Sequence, residues 1–377
     1  MKNSFMRAGF YKRVVGLVMI FALVCTNLRG GAVVSRAATP SPGSVITSNQ
    51  DWGEQTLQAG TYTINPGVTV TVSGRLTVSG TVTIKGGGKL VRSGSYKGKD
   101  KDSSSSSIFY LSGGTLNLEN ITVDGGNVAA YGFAVYIDSG TVNMKTDAVV
   151  ENNINMNTNT TGANAAGGIY CGKNGTLNID GGTIRNCRTS EVVGSDAYEH
   201  AGGGIYLKGT CNMTSGNITG NKASNGGGIY LASTDAVLRL SGGVISGNSA
   251  AGAGSGIYYS TLNAATSKVY IGGMANVKDI IYLDNNNGEL FPYITSVIRY
   301  PVTLSCSSRD EGRVLAGGGD GYILTSVDAS KISMTGTTLY SRLDKTSNQI
   351  YLSKTEEPEA MWQESAGEIY GGADKCL

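Results

Sequence analysis

Two neighbouring stretches decide the architecture: Gly202–Asn221, GGGIYLKGTCNMTSGNITGN, and Gly226–Asn248, GGGIYLASTDAVLRLSGGVISGN. Each opens on glycines followed by Ile-Tyr-Leu. Each then passes through a second apolar–polar alternation and closes on a third run that ends in Gly-Asn. The alternation has period two, the period of a strand with one buried face. Ile205 and Leu207 point one way and Tyr206 the other, as do Ile229, Leu231 and Tyr230.

Working outward, the same phrase ends at Tyr170 and Tyr258, with a weaker version, Phe-Ala-Val-Tyr, at Tyr136. Each is followed by a second run: Thr141–Met144, Thr176–Ile179, Thr210–Met213, Val237–Leu240 and Lys268–Ile271. In these, Leu177 and Ile179 face in while Asn178 faces out. Third runs follow at Ala148–Glu151, Thr183–Arg185, Asn217–Thr219 and Val244–Ser246. Three short strands cannot bury their apolar face alone. Repeats stacked about 4.8 Å apart can, with each strand bonded to its equivalent in the next repeat. The expected fold is therefore all-β: a right-handed, three-faced parallel β-helix. The hand follows the near-universal hand of parallel crossovers. Asn153, Asn221 and Asn248, with Cys187 in the corresponding slot, fall at one corner, where stacked amides can bond one another.

The flanks are less regular. Gly60–Arg92 reads as five brief strands forming the first coils, and residues 40–56, with Trp52, as a cover for the open N-terminal end. Tyr96–Ser107 reads as a solvated loop, and Glu151–Ala166 and Arg188–His200 as loops that project from the coil. After Leu283 the phrase disappears. Residues 284–354 are expected to extend the helix or form a β-rich C-terminal cap, with Ile294–Leu304, Arg313–Ala316, Tyr322–Leu324, Lys331–Met334 and Gln349–Leu352 as strands. Residues 355–377 read as a flexible tail.

Residues 1–37 are expected to be a secretory signal peptide. Lys2, Arg7, Lys12 and Arg13 precede an apolar run from Val14 to Cys25, and Ser35 and Ala37 stand at the cleavage positions. The run is short for a membrane span, and no other long apolar run occurs, so no transmembrane segment is expected after cleavage. Bulky Leu23 and Val24 disfavour lipidation of Cys25. These features place the chain outside the cell, secreted or at the cell surface, and residues 38–283 form the β-helix with its N-terminal cap.

Composition removes several function classes. Glycine contributes 56 of 377 residues and charged residues only 15%, while hydrophobics reach 40%, too many for a disordered chain. The formal charge is +2, but six basic residues precede position 37. Of the 30 in all, 24 remain against 28 acidic residues, so no basic face for nucleic acid is expected. The five cysteines after the signal, Cys171, Cys187, Cys211, Cys306 and Cys376, form no closed disulfide set. Cys171 and Cys211 stand at inward apolar positions. No Cys-x-x-Cys occurs and His200 is the only histidine, so no metal or cofactor is expected.

The Gly-Gly-Gly-Ile-Tyr phrases, followed by Ile-Thr-Gly-Asn (Ile218–Asn221) and Ile-Ser-Gly-Asn (Ile245–Asn248), resemble the polymorphic outer-membrane-protein type of β-helix repeat. They look like the variant of large secreted and cell-surface proteins of Gram-positive bacteria, with Ile or Val where Phe is usual. Gly321–Thr325 and Asn348–Leu352 resemble the region that follows the repeats in those proteins. The resemblance covers roughly Gly113 to Leu352 and implies a cell-surface β-helix, with adhesion as the usual proposal. The Leu-Pro-x-Thr-Gly sorting signal of many relatives does not occur in the sequence.

Many secreted β-helices cut polysaccharides, and glycoside hydrolysis needs two carboxyl groups about 5–9.5 Å apart. The polygalacturonase-type set Asn-x-Asp, Asp-Asp and Gly-His-Gly is not found. His200 reads as a solvated loop residue. Asp138, Asp147 and Asp180, with Arg185 and Arg239 pointing outward, read as solvated charge, and no carboxylates are expected to cluster on consecutive coils. The Asp-Gly-Gly turns at Asp124 and Asp180 are ordinary turns rather than calcium loops. The feature best suited to binding is the outward column Tyr136, Tyr170, Tyr206, Tyr230 and Tyr258, since tyrosine offers an apolar flank and a polar tip. The bland alternative is that the rings only reinforce the ladder, under a covering loop. The expected function is a non-catalytic recognition or adhesion scaffold for carbohydrate or extracellular matrix proteins. A polysaccharide lyase or glycoside hydrolase is the alternative.

Overall fold

The computed structural model describes residues 40–99, 102–156, 166–189, 200–232, 235–260, 267–284 and 290–356. The expected signal peptide, the tail after residue 356 and most of the two long loops lie outside the described residues.

The chain winds as a parallel β-helix. The first strands of successive coils pair in parallel: Ile169–Cys171 on Ile205–Leu207, these on Ile229–Leu231, and these on Ile257–Tyr259. Second strands pair the same way, with Asn178 opposite Asn212 and Asn212 opposite Arg239. First and second strands share one continuous sheet, third strands form a nine-stranded sheet, and a five-stranded ribbon follows the corner. Inward positions carry stacked apolar columns, among them Ile137, Cys171, Leu207, Leu231, Tyr259 and Leu283, all buried in one cluster. Fully burying a Leu or Ile side chain stabilises by about 1.5–3 kcal/mol. No rung supplies that alone, so the energy resides in the stacking.

The glycines and the corner asparagines depend on each other. A Cβ on Gly204 would stand 2.7 Å from the Gly228 carbonyl and 3.1 Å from Asn221 Nδ2. One on Gly228 would meet the Gly256 carbonyl and Asn248 Nδ2 in the same way. The glycine run is thus the strip where the backbone passes over the corner amide. That amide is buried and bonded: Asn221 Nδ2 donates to Ile184 O and Asn248 Oδ1, each at 3.0 Å. Asn248 continues the series onto Asp279 Oδ2 at 2.9 Å. The residue before each corner position is left-handed, with φ of 55° at Asn152, 54° at Asn186, which precedes Cys187, and 67° at Gly220 and Gly247. Only Gly and Asn adopt that conformation readily, which explains the recurring Gly-Asn.

Three expectations about the flanks change. Residues 40–56 are not a separate cover: Val45–Ile46, Gln50–Trp52 and Gln55–Leu57 pair as coil strands. Trp52 is 1% exposed, edge-on to Tyr62. The loop after Arg92 is not fully solvated. Arg92 fills an inward position and donates to Ser106 O and Phe133 O, and Ser103, Ser106 and Ser107 are buried. Burial lowers the Arg92 pKa to about 10. The cation is held by carbonyl oxygens and by Asn153 Oδ1. Parallel winding also continues beyond residue 284, through Val302–Cys306 to Ile332–Met334. The end is closed by the antiparallel pair Tyr340–Asp344 and Gln349–Ser353 and by a short helix, Ser326–Lys331; Tyr322–Leu324, expected as a strand, leads into that helix without forming one. Thr325 and Asp328 form that helix's capping box, a Thr-x-x-Asp spacing that is readable in the sequence.

Candidate functional site

The tyrosine column exists in register. Tyr136, Tyr170, Tyr206, Tyr230 and Tyr258 stand opposite one another on successive first strands. Tyr110 and Tyr282 extend it at either end. Ring centroids are 4.5–5.8 Å apart along the seven. Each step lies in the range of favourable stacking, worth about 0.5–1.5 kcal/mol beyond the area buried.

The expected open aromatic surface is not there. Tyr170, Tyr206, Tyr230 and Tyr258 are buried and only Tyr136, Tyr110 and Tyr282 are partly exposed. Ring faces meet each other, and the outer edges pack against Phe133, Ala166, Ala201 and Ala253. Ala166, Ala201 and Ala253 stand directly before the glycines of the phrases that end at Tyr170, Tyr206 and Tyr258, and Phe133 lies inside the phrase that ends at Tyr136. Lys208 lies over the rings of Tyr170 and Tyr206, its pKa lowered by burial. Desolvation raises the Tyr206 phenol to about 12, and drives Tyr170 and Tyr136 upward as well. The column is an internal spine lying outside the coil.

The second strands present a different outward column. Thr83, Asn117, Asn143, Asn178 and Asn212 stand in register. Each amide Nδ2 donates to the residue one coil back, at 3.1, 2.8, 2.8 and 2.9 Å. Beside it runs a threonine column: Thr81, Thr115, Thr141, Thr176 and Thr210. All are at least partly exposed. A carboxamide has two N–H donors and two acceptor lone pairs, so the ladder leaves one of each per rung for a ligand. Towards the C-terminal end the column continues as Arg239, Tyr270 and Tyr293. Arg239 lies 3.9 Å from the Tyr270 centroid and 2.7 Å from Asp320. Only Asn178 is read as outward by the alternation alone. The recurring Thr-x-Asn, at 115–117, 141–143, 176–178 and 210–212, is the signal that reveals the rest.

A carboxylate pair does form on consecutive coils, against expectation. Asp124 stands opposite Glu151 on the third-strand face. They are 8% and 6% exposed. Lys89 reaches both, at 3.3 and 3.7 Å, and Arg185 lies 2.6 Å from Glu151. Asp124 Oδ1 also accepts from Gly126 N and Asn152 Nδ2. Two anions are thus matched by two cations. Both carboxylates are engaged by partners within the protein. The pair went unread because the two residues lie in dissimilar local phrases, Thr-Val-Asp-Gly-Gly and Val-Val-Glu-Asn-Asn.

Asp138, Asp147 and Asp180 are exposed and do not converge, and Asp180 accepts from Thr214 and Ser215 hydroxyls. Arg185 and Arg239 point outward, each in an ion pair. His200, expected in solvent, is 2% exposed, and its carbonyl accepts from Ser224 N. Cys171 and Cys187 are buried, and desolvation pushes each thiol to about 12, so both are poor nucleophiles at neutral pH. Among the described residues no group of three or more His, Cys, Asp or Glu is placed to hold a metal ion. Comparison with protein families, with curated proteins and with solved structures finds no match for this chain.

Proposed function

We propose that the protein is a recognition scaffold of the extracellular space, secreted or held at a cell surface, that binds glycans or matrix proteins without chemical conversion. The Thr–Asn face supports this reading best. It is a rigid, polar array in which four of the five rungs repeat the same Thr and Asn pair, and the first carries Thr81 and Thr83. Such a surface is pre-organised, so little ordering cost opposes binding. Binding of the purified chain to a glycan array and to immobilised matrix proteins tests the reading. Signal on one of them, lost in Thr176→Lys, is expected; no signal on any counts against it.

The second reading, a polysaccharide-degrading enzyme, draws on the Asp124–Glu151 pair, in register one coil apart. Strand neighbours in a sheet stand about 4.8 Å apart, near the ~5–5.5 Å of retaining glycosidases. Release of reducing ends or of unsaturated products from acidic or neutral polysaccharides, abolished by Glu151→Gln, would establish it and displace the scaffold reading.

A further inference from the structure

The open face is a comb of uncharged hydrogen-bonding groups, and this restricts what it can hold. We propose that it binds the surface of an insoluble, neutral polysaccharide, engaging many ordered hydroxyls at once. This rests on the reading of the Thr–Asn face as a recognition surface and names its ligand class.

Charge complementarity comes first. The two ranks, from Thr81 to Thr210 and from Thr83 to Asn212, carry no ionisable side chain. At the border Lys145 pairs with Glu119 and Arg239 with Asp320, while the single charges beside the ranks are one of each sign, Lys85 at one end and Asp180, which accepts from Thr214 and Ser215 hydroxyls. An acidic polysaccharide or a nucleic acid would need unpaired cations along its path. A neutral, hydroxyl-rich partner leaves no charge stranded on either side.

Backbone accessibility comes second. Extended peptides commonly bind by adding a strand to an exposed sheet edge. Here each strand of the face from Thr81–Lys85 to Thr210–Met213 is already paired on both sides. Only side-chain hydroxyls and amides remain available, and these match sugar hydroxyls in both donor and acceptor capacity.

The strength of single contacts then separates a soluble sugar from a solid one. A net hydrogen bond contributes only about 0.5–1.5 kcal/mol, and less where water competes. A short oligosaccharide would touch a few rungs and be held weakly. An ordered surface can meet five rungs together, and each contact after the first is effectively intramolecular.

The test is retention of the purified chain by washed microcrystalline cellulose, insoluble chitin and granular starch, at low and high salt. Thr176→Lys, an outward change in the middle of the face, is run in parallel with a thermal melt to confirm folding. Retention by at least one solid, unchanged by salt and lowered about tenfold or more by Thr176→Lys, is expected. Oligosaccharides of the same sugar should compete poorly. Retention by none of the solids, retention abolished by salt, or retention unaffected by Thr176→Lys would each overturn the proposal. The two readings fail separately. If Thr176→Lys abolishes binding to a soluble glycan or matrix protein while no solid retains the chain, the scaffold reading stands and this ligand class falls.

Discussion

The outward column of the first strands and that of the second strands obey the same rule and end in opposite states. Both come from period-two alternation, both repeat once per coil, and both are held in register by the same backbone ladders. The first is a stack of phenols sealed under Phe133, Ala166, Ala201 and Ala253. The second is a chain of amides open to water. Facing away from the coil axis is therefore not the same as facing solvent. A residue's role depends on what the non-repeating segments do above it, and large apolar rings attract cover where amides and hydroxyls do not.

The sharpest way to break the contrast is alkali. The raised tyrosines hold their protons more tightly folded than unfolded. Their contribution is complete below the unfolded value near 10 and is lost as pH rises through the folded value, about 12 for Tyr206. With Tyr170 and Tyr136 shifted the same way, the fold should fail cooperatively between pH 10 and 12. Far-UV circular dichroism and phenolate absorbance followed together check this. The late-ionising tyrosines should appear only as the β signal disappears. Ionisation well ahead of unfolding would show the spine to be wet.

Next in size is Tyr206→Ala. It removes a ring stacked on both Tyr170 and Tyr230 and should cost about 3–5 kcal/mol, the usual range for deleting a buried aromatic. Denaturant melts read it. A cost below about 1 kcal/mol would mean that the covering segments collapse freely and that the spine is ornament.

How far the sequence carries follows the same division. The winding, the register of Tyr136 to Tyr258 and the Asn221–Asn248 corner were legible because each rests on strict repetition, which stacking enforces. That the rings lie under cover was one of the two readings, but which residues supply it was not legible: Phe133 stands inside the weak phrase Phe-Ala-Val-Tyr, and Ala166 and Ala201 directly precede glycine runs without a pattern that marks them as cover. The Asp124–Glu151 pair was hidden for a related reason: register brings together two coils whose local sequences look unalike. Trp52 misled because an aromatic near an irregular start suggests a cover, yet its neighbours Gln50 and Asp51 pair as an ordinary third strand. The Ser326–Lys331 helix had a readable capping box, but a helix of 6 residues amid strands carries too little periodicity to stand out.

A third change compares like with like. Asn221 sits in the buried corner, with its side chain bonded to Cys187 N, Ile184 O and Asn248. Asn221→Leu would leave at least one buried backbone group without its partner, at about 1–3 kcal/mol each, and would also crowd Gly204. A loss of about 2–4 kcal/mol is expected in the same melts. A neutral result would mean that the corner amides are replaceable by any side chain of similar size.

The smallest effect should come from Asn178→Leu, which cuts the open ladder at its centre. The substitution removes the links to Asn143 and Asn212, at 2.8 and 2.9 Å. Both neighbours are partly exposed, so each can exchange the lost bond for one to water. Leucine also fits a strand tolerably. The stability cost should stay below about 1 kcal/mol, several-fold less than for the same change at Asn221, though both residues are asparagines in stacked ladders. Binding should move the other way: retention or array signal should fall for Asn178→Leu and hold for Asn221→Leu wherever that variant remains folded. If the order of the stability costs were reversed, the exposed amides would be the structural ones. The face would then be the backbone's reinforcement, and its fitness for a ligand incidental.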